Sequence, residues 1–173
     1  MSFNEIQFEL DPLLEKDSIF IMELPLSKLV LMNDANFLWF LLIPRREGVH
    51  EVFELCEQDL LQLNKESNFL LKELKEHYKG KKMNVANLGN IVPQLHIHHI
   101  VRYEDDLAWP GPIWGSQETK TYSDLEKETI VEEVRKLMKK EFGDNCIDLT
   151  NETFIEQNIE TVSYTHLTLP TKA

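Results

Sequence analysis

Cysteine is scarce in this sequence of 173 residues, which contains only Cys56 and Cys146 and no Cys-x-x-Cys pair. Disulfide-stabilised secreted domains carry closely spaced cysteines, and a reduced cytoplasmic chain is the usual alternative. The length and the 42% apolar content are those of a globular domain with an ordinary core. We therefore expect a cytoplasmic protein that does not depend on disulfides.

Long apolar runs and a basic N-terminus are also missing. No run approaches the roughly 20 residues that a membrane-spanning helix needs. The first residues, MSFNEIQFELDP, contain acids and no basic n-region. Neither a transmembrane helix nor a signal peptide is therefore predicted.

Positive charge is in the minority, with 18 Lys and Arg against 30 Asp and Glu, which gives a net charge of −12. Proteins that bind nucleic acids or anionic membranes through general electrostatics are basic. Those two kinds of partner are therefore not expected. A small anionic ligand remains compatible with the charge, because backbone N–H groups can bind it locally.

The apolar patterning predicts strands and two helices. Strands are predicted at 18–25, 27–33, 36–46, 82–90 and 94–102, and helices at 57–78 and 123–143. Ser123 and Glu126 have the spacing of a capping box at the start of the second helix. A block of strands with one long crossing helix predicts an α+β domain on an antiparallel sheet of about five strands, followed by an extra C-terminal helix.

The segment NIVPQLHIHHIVR places three histidines within four positions of an apolar strand. Side chains alternate along a strand, so Gln94, His96 and His98 are expected on one face and His99 on the other. Pro93 is expected to mark the start of the strand. A regular polar row in so apolar a strand suggests chemistry rather than packing.

Three interpretations of this row compete. In the first interpretation the two same-face imidazoles share a metal ion, with His50, Cys56, His77 or His99 as further ligands, although none has a diagnostic spacing. In the second interpretation the histidines are core residues that are hydrogen-bonded to the backbone. In the third interpretation one imidazole attacks phosphorus and its neighbours bind the phosphoryl oxygens.

The order of several motifs between residues 36 and 115 resembles the histidine-triad (HIT) superfamily of nucleotide hydrolases and transferases. FLLIPRREGVHEVFEL resembles its strand that leads to the long helix, and NVANLGN its Asn-x-Gly strand. PQLHIHHIVR resembles the signature of alternating histidines, and WPGP the Trp-Pro segment of the Hint branch. The resemblance implies a HIT-like fold with no cofactor, and a homodimer formed through the long helix and a sheet edge.

The resemblance also implies roles for individual residues. His96 matches the middle histidine, the nucleophile of the family, and His98 matches the third. Gln94 stands in the place of the first histidine, so the chain is a Gln-x-His-x-His variant. A glutamine amide can donate a hydrogen bond but cannot move a proton, so any acid role at this position is lost.

Further residues are expected to bind nucleotide or phosphate. The phosphate-binding turn of the family is shortened here and is expected to use Asn87, Gly89 and Asn90. Asn33 or Asp34 falls near the family's ribose-binding position, and Trp109 lies in the segment that reaches toward a substrate pocket.

The implied activity is hydrolysis or nucleotidyl transfer at the α-phosphorus of nucleoside phosphoramidates or dinucleoside polyphosphates. A backbone carbonyl on Nδ1 of His96 is expected to leave Nε2 free for attack, through a nucleotidyl-histidine intermediate. A non-catalytic nucleotide-binding or regulatory protein is the alternative, and a metal-binding protein a further one.

The predicted domain organisation is a catalytic domain over 1–116 and a helical extension over 117–161. Residues 162–173, which contain VSYTHLTLPT, resemble the translation of a sequencing adapter and are expected to be an artefact.

Overall fold

The computed structural model describes residues 8–143, so residues 144–161 and the adapter-like tail at 162–173 lie outside the described part of the chain. The described elements in chain order are α1 (Pro12–Asp17), β1 (Ser18–Glu23), β2 (Ser27–Met32), β3 (Leu38–Pro44), a short 3-10 helix (Val52–Glu54), α2 (Glu57–His77), β4 (Lys82–Ala86), β5 (Ile97–Arg102) and α3 (Asp124–Phe142).

The five strands form one antiparallel sheet in the order β1-β2-β3-β5-β4. β3 is central and buried along most of its length, as expected for a strand that is apolar on both faces. The predicted α+β class with a five-stranded antiparallel sheet is confirmed. No helix of residues 8–143 is long and apolar enough to cross a membrane.

Helices α2 and α3 cover one face of the sheet, which we call the helix face. Leu63, Leu70 and Leu74 of α2 and Val134 and Met138 of α3 pack into one apolar core with inward-facing strand residues. The capping box of Ser123 and Glu126 is present, so α3 begins where the sequence predicted. Burial of an apolar stripe at helical spacing explains why both helices were predictable.

The opposite face, which we call the site face, has no long helix among the described residues. It is covered by the N-terminal segment, whose Phe8, Leu10 and Leu14 pack with Val30 and Leu41, and by the loop that carries Ile113 and Trp114. Helix α1 in this segment was not predicted. Its signals were present, since the side chain of Asp11 accepts a hydrogen bond from Leu13 N as N-cap and Pro12 opens the helix.

All five predicted strands are shorter in the structure, and two of these differences concern candidate site residues. β5 begins at Ile97 rather than at residue 94, and β4 ends at Ala86 rather than at residue 90. The N–H of Leu95 donates to the carbonyl of Val49 over 3.0 Å rather than to a neighbouring strand. Gln94 and His96 therefore lie in a loop just before β5, although alternation had placed them within it.

Candidate active site

His96 is fixed beside the start of β5 by one backbone contact. The residue is 4% exposed, and Nδ1 of its ring lies 2.7 Å from the carbonyl oxygen of Gln94. A carbonyl can only accept, so Nδ1 carries the proton and donates. Nε2 then holds the lone pair, and no residue in the described range 8–143 is hydrogen-bonded to it. This is the tautomer that a nucleophilic imidazole requires.

His98 is held from both sides. The indole N–H of Trp39 donates to Nδ1 of His98 over 2.9 Å, and Nε2 of His98 lies 3.0 Å from the carbonyl of Leu88. Because the indole is only a donor, Nδ1 must accept and Nε2 must carry the proton. The ring is therefore neutral, with its one N–H directed to the loop before β5.

Burial lowers the pKa of His98 to about 4, and the nearby His96 acts in the same direction, against the opposing effect of the Leu88 carbonyl. The imidazole thus stays uncharged at neutral pH. His98 contributes a fixed dipole to the site rather than a positive charge.

Aromatic rings surround the two histidines. The centroids of His96 and His98 are 4.9 Å apart, and Trp114 meets His98 edge-on at 5.2 Å. Trp39 lies 5.5 Å from His98 and packs edge-on against Trp114. Neither tryptophan was predicted as a partner of His98, because the Trp39 contact depends on the register between β3 and β5 and the Trp114 contact depends on the path of a later loop.

The loop over residues 87–92 approaches His96 closely at Gly89. A Cβ at this position would lie 2.8 Å from the carbonyl oxygen of Val92 and 3.6 Å from Cε1 of His96. Any side chain would therefore force the backbone of the loop at Val92 to shift, while it would make only ordinary van der Waals contact with the His96 ring. Of the other predicted phosphate-binding residues, Asn90 is exposed, and Asn87 is exposed and donates to Glu51 over 3.3 Å.

The side chain of Gln94 contacts the N-terminal segment. Its Oε1 accepts from the N–H of Asp11 over 3.0 Å, and its Nε2 donates to the carbonyl of Glu9 over 2.8 Å. The backbone of Gln94 orients His96, while its amide is bonded elsewhere. Of the three residues in the predicted row, His96 and His98 therefore lie together, whereas the side-chain amide of Gln94 is directed away from them to residues 9–11.

Asn33 and Asp34 lie in the turn after β2 and hold a later stretch of the chain. Oδ1 of Asn33 accepts from the N–H of Tyr122, and Oδ1 of Asp34 accepts from both the N–H and the side-chain amide of Asn36. None of the contacts described for these two residues involves a histidine. A ribose-binding role for them stays a prediction.

Trp109 lies over a buried arginine. The Arg102 guanidinium is 5.7 Å from the Trp109 ring, is paired with Asp106 and also donates to Asn84 and to the carbonyl of Gly111. Arg102 itself is 1% exposed. This network anchors the loop that carries Trp114 to His98, and sequence reasoning did not identify it.

His99 points to the helix face. Its Nδ1 lies 3.0 Å from the carbonyl of Ile97, and its Nε2 lies 2.7 Å from Oγ of Ser67 on α2. Burial lowers its pKa to about 4. His99 is therefore separated from His96 and His98, as expected. Within residues 8–143, no group of three or more His, Cys, Asp or Glu residues is arranged to hold a metal ion.

Comparison with known proteins places this arrangement in a family. A family model described as the HIT domain matches residues 14–105. A histidine triad protein from Bradyrhizobium japonicum is 40% identical, with a TM-score of 0.74, and the match covers 75% of this chain and 97% of that one. A histidine triad protein from Marinobacter aquaeolei VT8 is also 40% identical, with a TM-score of 0.76 and coverages of 78% and 98%.

A more distant structure shares the fold. Diadenosine triphosphate hydrolase from Plasmodium falciparum is 15% identical, with a TM-score of 0.55, and the match covers 81% of this chain and 89% of that one. A comparison with curated protein sequences gave no match.

Proposed function

The chain belongs to the HIT family, and we propose that it is a nucleotide hydrolase or nucleotidyltransferase that acts at the α-phosphorus of a nucleoside phosphoramidate or dinucleoside polyphosphate. The observation that carries the proposal is the contact between Nδ1 of His96 and the Gln94 carbonyl, because it leaves the Nε2 lone pair unbonded within residues 8–143. The diadenosine triphosphate hydrolase with the same fold makes the dinucleoside class a sensible first choice of substrate.

In the proposed first step, Nε2 of His96 attacks the α-phosphorus, the bond from phosphorus to the leaving group breaks, and a nucleotidyl-histidine forms. Water or another acceptor then attacks the same phosphorus, and His96 is released with its lone pair. Splitting the transfer in this way replaces one difficult displacement with two easier ones.

Charge that develops on the phosphoryl oxygens needs hydrogen-bond donors. The backbone N–H groups around Gly89 are one source, since a Cβ added to this residue would lie 3.6 Å from Cε1 of His96. The N–H at Nε2 of His98 is a second source, but it donates to Leu88 in the free protein. A phosphoryl oxygen would therefore replace the Leu88 carbonyl as the acceptor.

The leaving group must take its proton from water in this proposal. Gln94 cannot supply one, and the neutral His98 has a pKa of about 4 and a single N–H. Acidic leaving groups, such as a nucleotide phosphate, are therefore expected to leave faster than amines.

The test is adduct trapping with the purified protein. Diadenosine polyphosphate is added to the unmodified protein, to His96→Ala and to His50→Ala as a matched control, since His50 is exposed and lies outside the ring cluster. Mass spectrometry is expected to find a nucleotidyl adduct on His96 and turnover in the unmodified protein and in the control. Loss of the nucleophile should reduce turnover by at least about 10³-fold. Near-normal turnover by His96→Ala with an unchanged melting curve would reject the proposal.

A non-catalytic nucleotide-binding protein is the second candidate, and one observation favours it. Both neighbours of His96 in the row have their side-chain polar atoms bonded to protein groups. Nucleotide binding by calorimetry, without adduct or turnover, would select this candidate. Metal analysis of the purified protein tests the remaining metal-binding alternative.

We also propose a homodimer formed through α2 and the exposed edge strand β4, where Val85 is 48% exposed. Unpaired backbone groups along such an edge are available for pairing with a second copy. Light scattering after size-exclusion chromatography gives the mass of the assembly and tests this expectation.

A further inference from the structure

Trp39 reaches His98 diagonally across the sheet. The residue directly opposite His98 on β3 is Leu41, whereas Trp39 lies opposite Ile100. Backbones at such diagonal positions are about 7–8 Å apart, a gap that long or aromatic side chains bridge. The indole bridges it and places Nε1 2.9 Å from Nδ1 of His98. The contact therefore depends on the size of this side chain as well as on its N–H.

The body of the indole is held independently of His98. It packs against two apolar clusters, one containing Leu41 and Val92 and the other containing Ile100 and Ile113. Because packing fixes the ring, the direction of its N–H is set by the fold before any ligand binds. Trp39 is thus a pre-organised hydrogen-bond donor.

The contact restricts the imidazole of His98 to one state. An indole N–H can only donate, so Nδ1 must accept and the proton lies on Nε2. Protonation of Nδ1 would bring two donors face to face. A half-turn of the ring would place a carbon atom in front of the indole N–H. The other tautomer, the charged ring and the flipped ring all lose this hydrogen bond.

The two hydrogen bonds of His98 differ in what a ligand does to them. Nε2 donates to the carbonyl of Leu88, which a phosphoryl oxygen replaces as the acceptor under the proposed function. The Trp39 bond is made by the other ring nitrogen and requires no exchange of partner. Once Leu88 is displaced, Trp39 provides the remaining hydrogen bond described between the His98 ring and the protein.

We propose that Trp39 is a positioning residue, whose indole N–H keeps Nε2–H of His98 aimed at the phosphoryl oxygen while the carbonyl of Leu88 is displaced. The proposal rests on the proposed function for the identity of the ligand. No bond or proton is exchanged at Trp39, which acts on the transfer only through His98.

Trp114 offers a matched control within the same site. Its ring also meets the ring of His98, edge-on with centroids 5.2 Å apart, but its Nε1 is buried without a hydrogen-bond partner among residues 8–143. Trp39→Phe and Trp114→Phe both keep an aromatic ring against His98 and remove one indole N–H. Only the first removes a hydrogen bond to His98, so the pair separates that bond from packing.

The first experiment needs no substitution. In the ¹⁵N-labelled full-length protein, NMR can detect a scalar coupling across an N–H···N hydrogen bond. We expect this coupling between Nε1 of Trp39 and Nδ1 of His98 in the free protein, and we expect it to persist when AMP is bound. A coupling that is absent, or that disappears when AMP binds, would overturn the proposal.

The second experiment follows the titration of His98 by NMR in the two variants. Burial lowers the pKa of this ring to about 4 in the unmodified protein. The indole N–H binds only the neutral ring, so its loss in Trp39→Phe should raise the pKa by about one further pH unit, the equivalent of one ordinary hydrogen bond. Trp114→Phe should cause a smaller change. Equal changes in the two variants would show that packing alone acts on His98.

The third experiment measures kcat with a diadenosine polyphosphate. Trp39→Phe should lower kcat about tenfold, less than the ~10²-fold typical when a whole donor to developing charge is removed. The loss in Trp114→Phe should be clearly smaller. Equal losses, or an unchanged kcat in Trp39→Phe, would overturn the positioning role.

The proposal and the proposed function fail in different ways. If the unmodified protein binds AMP without turnover, the proposed catalysis fails, while the coupling and the titration still decide whether Trp39 positions His98 on a phosphate ligand. If it neither binds AMP nor turns over substrate, the role of Trp39 toward a ligand is rejected together with the proposed function.

Discussion

The two faces of the sheet are built by different means. On the helix face, α2 and α3 bury a continuous apolar core, and His99 is accommodated by one hydroxyl and one carbonyl. On the site face, an N-terminal segment and a loop cover the sheet, and polar contacts from Gln94 and Arg102 hold them there. Apolar burial stabilises the first face, whereas a few hydrogen bonds determine the geometry of the second.

The comparison explains why the candidate site lies on the site face. A close-packed helical layer leaves little room for a ligand and cannot shift without losing core contacts. Irregular segments offer backbone N–H groups and adjustable walls, and they keep their positions only when a side chain anchors them. The polar anchors should therefore be more important on the site face than on the helix face, and each prediction below tests that difference.

The largest effect is expected at Arg102. Arg102→Met leaves Asp106 buried without its cation and frees the carbonyl of Gly111. Removing one partner of a buried ion pair typically costs about 3–5 kcal/mol. Urea unfolding should show a loss of this size, and nucleotide turnover should fall because the loop that places Trp114 against His98 is released.

Arg135→Met is the matched arginine on the helix face. Arg135 donates from α3 to the carbonyl of Ile21 at 2.9 and 3.1 Å and pairs with the exposed Glu132. Loss of partly exposed contacts of this kind should cost about 1 kcal/mol and leave turnover unchanged. Equal losses of stability in the two variants would contradict the difference between the faces.

The pKa of the Asp106 carboxyl provides a second test of the contact between Arg102 and Asp106. Burial would raise the pKa of its carboxyl, but the Arg102 guanidinium and the N–H groups of Tyr103 and Ala108 hold it below the ordinary value. Arg102→Met should therefore raise the pKa of Asp106, which carbon-detected NMR titration can follow. Asp106→Asn in the Arg102→Met background should recover part of the lost stability, since no unpaired charge remains.

The next effect is the pH dependence of the free energy of unfolding, to which His98 on the site face and His99 on the helix face both contribute. Burial lowers the pKa of both to about 4 from an ordinary 6.5. The unfolded chain therefore binds more protons between these values, so the free energy of unfolding is fully maintained above pH 6.5 and falls as pH drops toward 4. Each histidine contributes about 3 kcal/mol of stability at neutral pH by this linkage.

The slope of unfolding free energy against pH near pH 5.5 isolates this effect from the direct cost of a substitution. The two histidines together should contribute about 2 kcal/mol per pH unit to this slope, and His99→Gln should remove about half of that contribution. His98→Gln should remove the other half and also impair turnover, which His99→Gln should not. A slope that neither variant changes would show that these rings titrate normally.

The regular elements were predictable because their signals are local. The apolar stripe and the Ser123 and Glu126 capping box placed α3 to within one residue at each end. The loop before β5 was not predictable in the same way. Alternation tells which face a side chain takes, but not that Leu95 N pairs with Val49 rather than with a strand. The partners of His98 depend on strand register and on a distant loop, and both are tertiary properties.

The smallest effect is expected at Glu66 on the helix face. This buried carboxyl accepts from Leu26 N and from Gln62 with Oε1, while its Oε2 and the nearby hydroxyl of Ser27 are buried without a well-formed hydrogen bond in the described range. Burial raises its pKa, against weaker lowering effects from Ser27, Leu26, Gln62 and Arg45. The folded state thus binds the proton more tightly than the unfolded state, and stability is lost as pH rises through the raised pKa.

Glu66→Gln keeps the shape and the accepting oxygen, and its NH₂ group is placed to donate to Ser27. The variant should be more stable than the unmodified protein at pH 8 by about 1 kcal/mol. The advantage should shrink as the pH falls through the raised pKa toward about 4.5, below which Glu66 is protonated in both the folded and the unfolded state. Thermal melts of both proteins from pH 4 to 8 measure the difference. A variant that is less stable at every pH would mean that the charge of Glu66 supports the helix face, which would then depend on a polar anchor as the site face does.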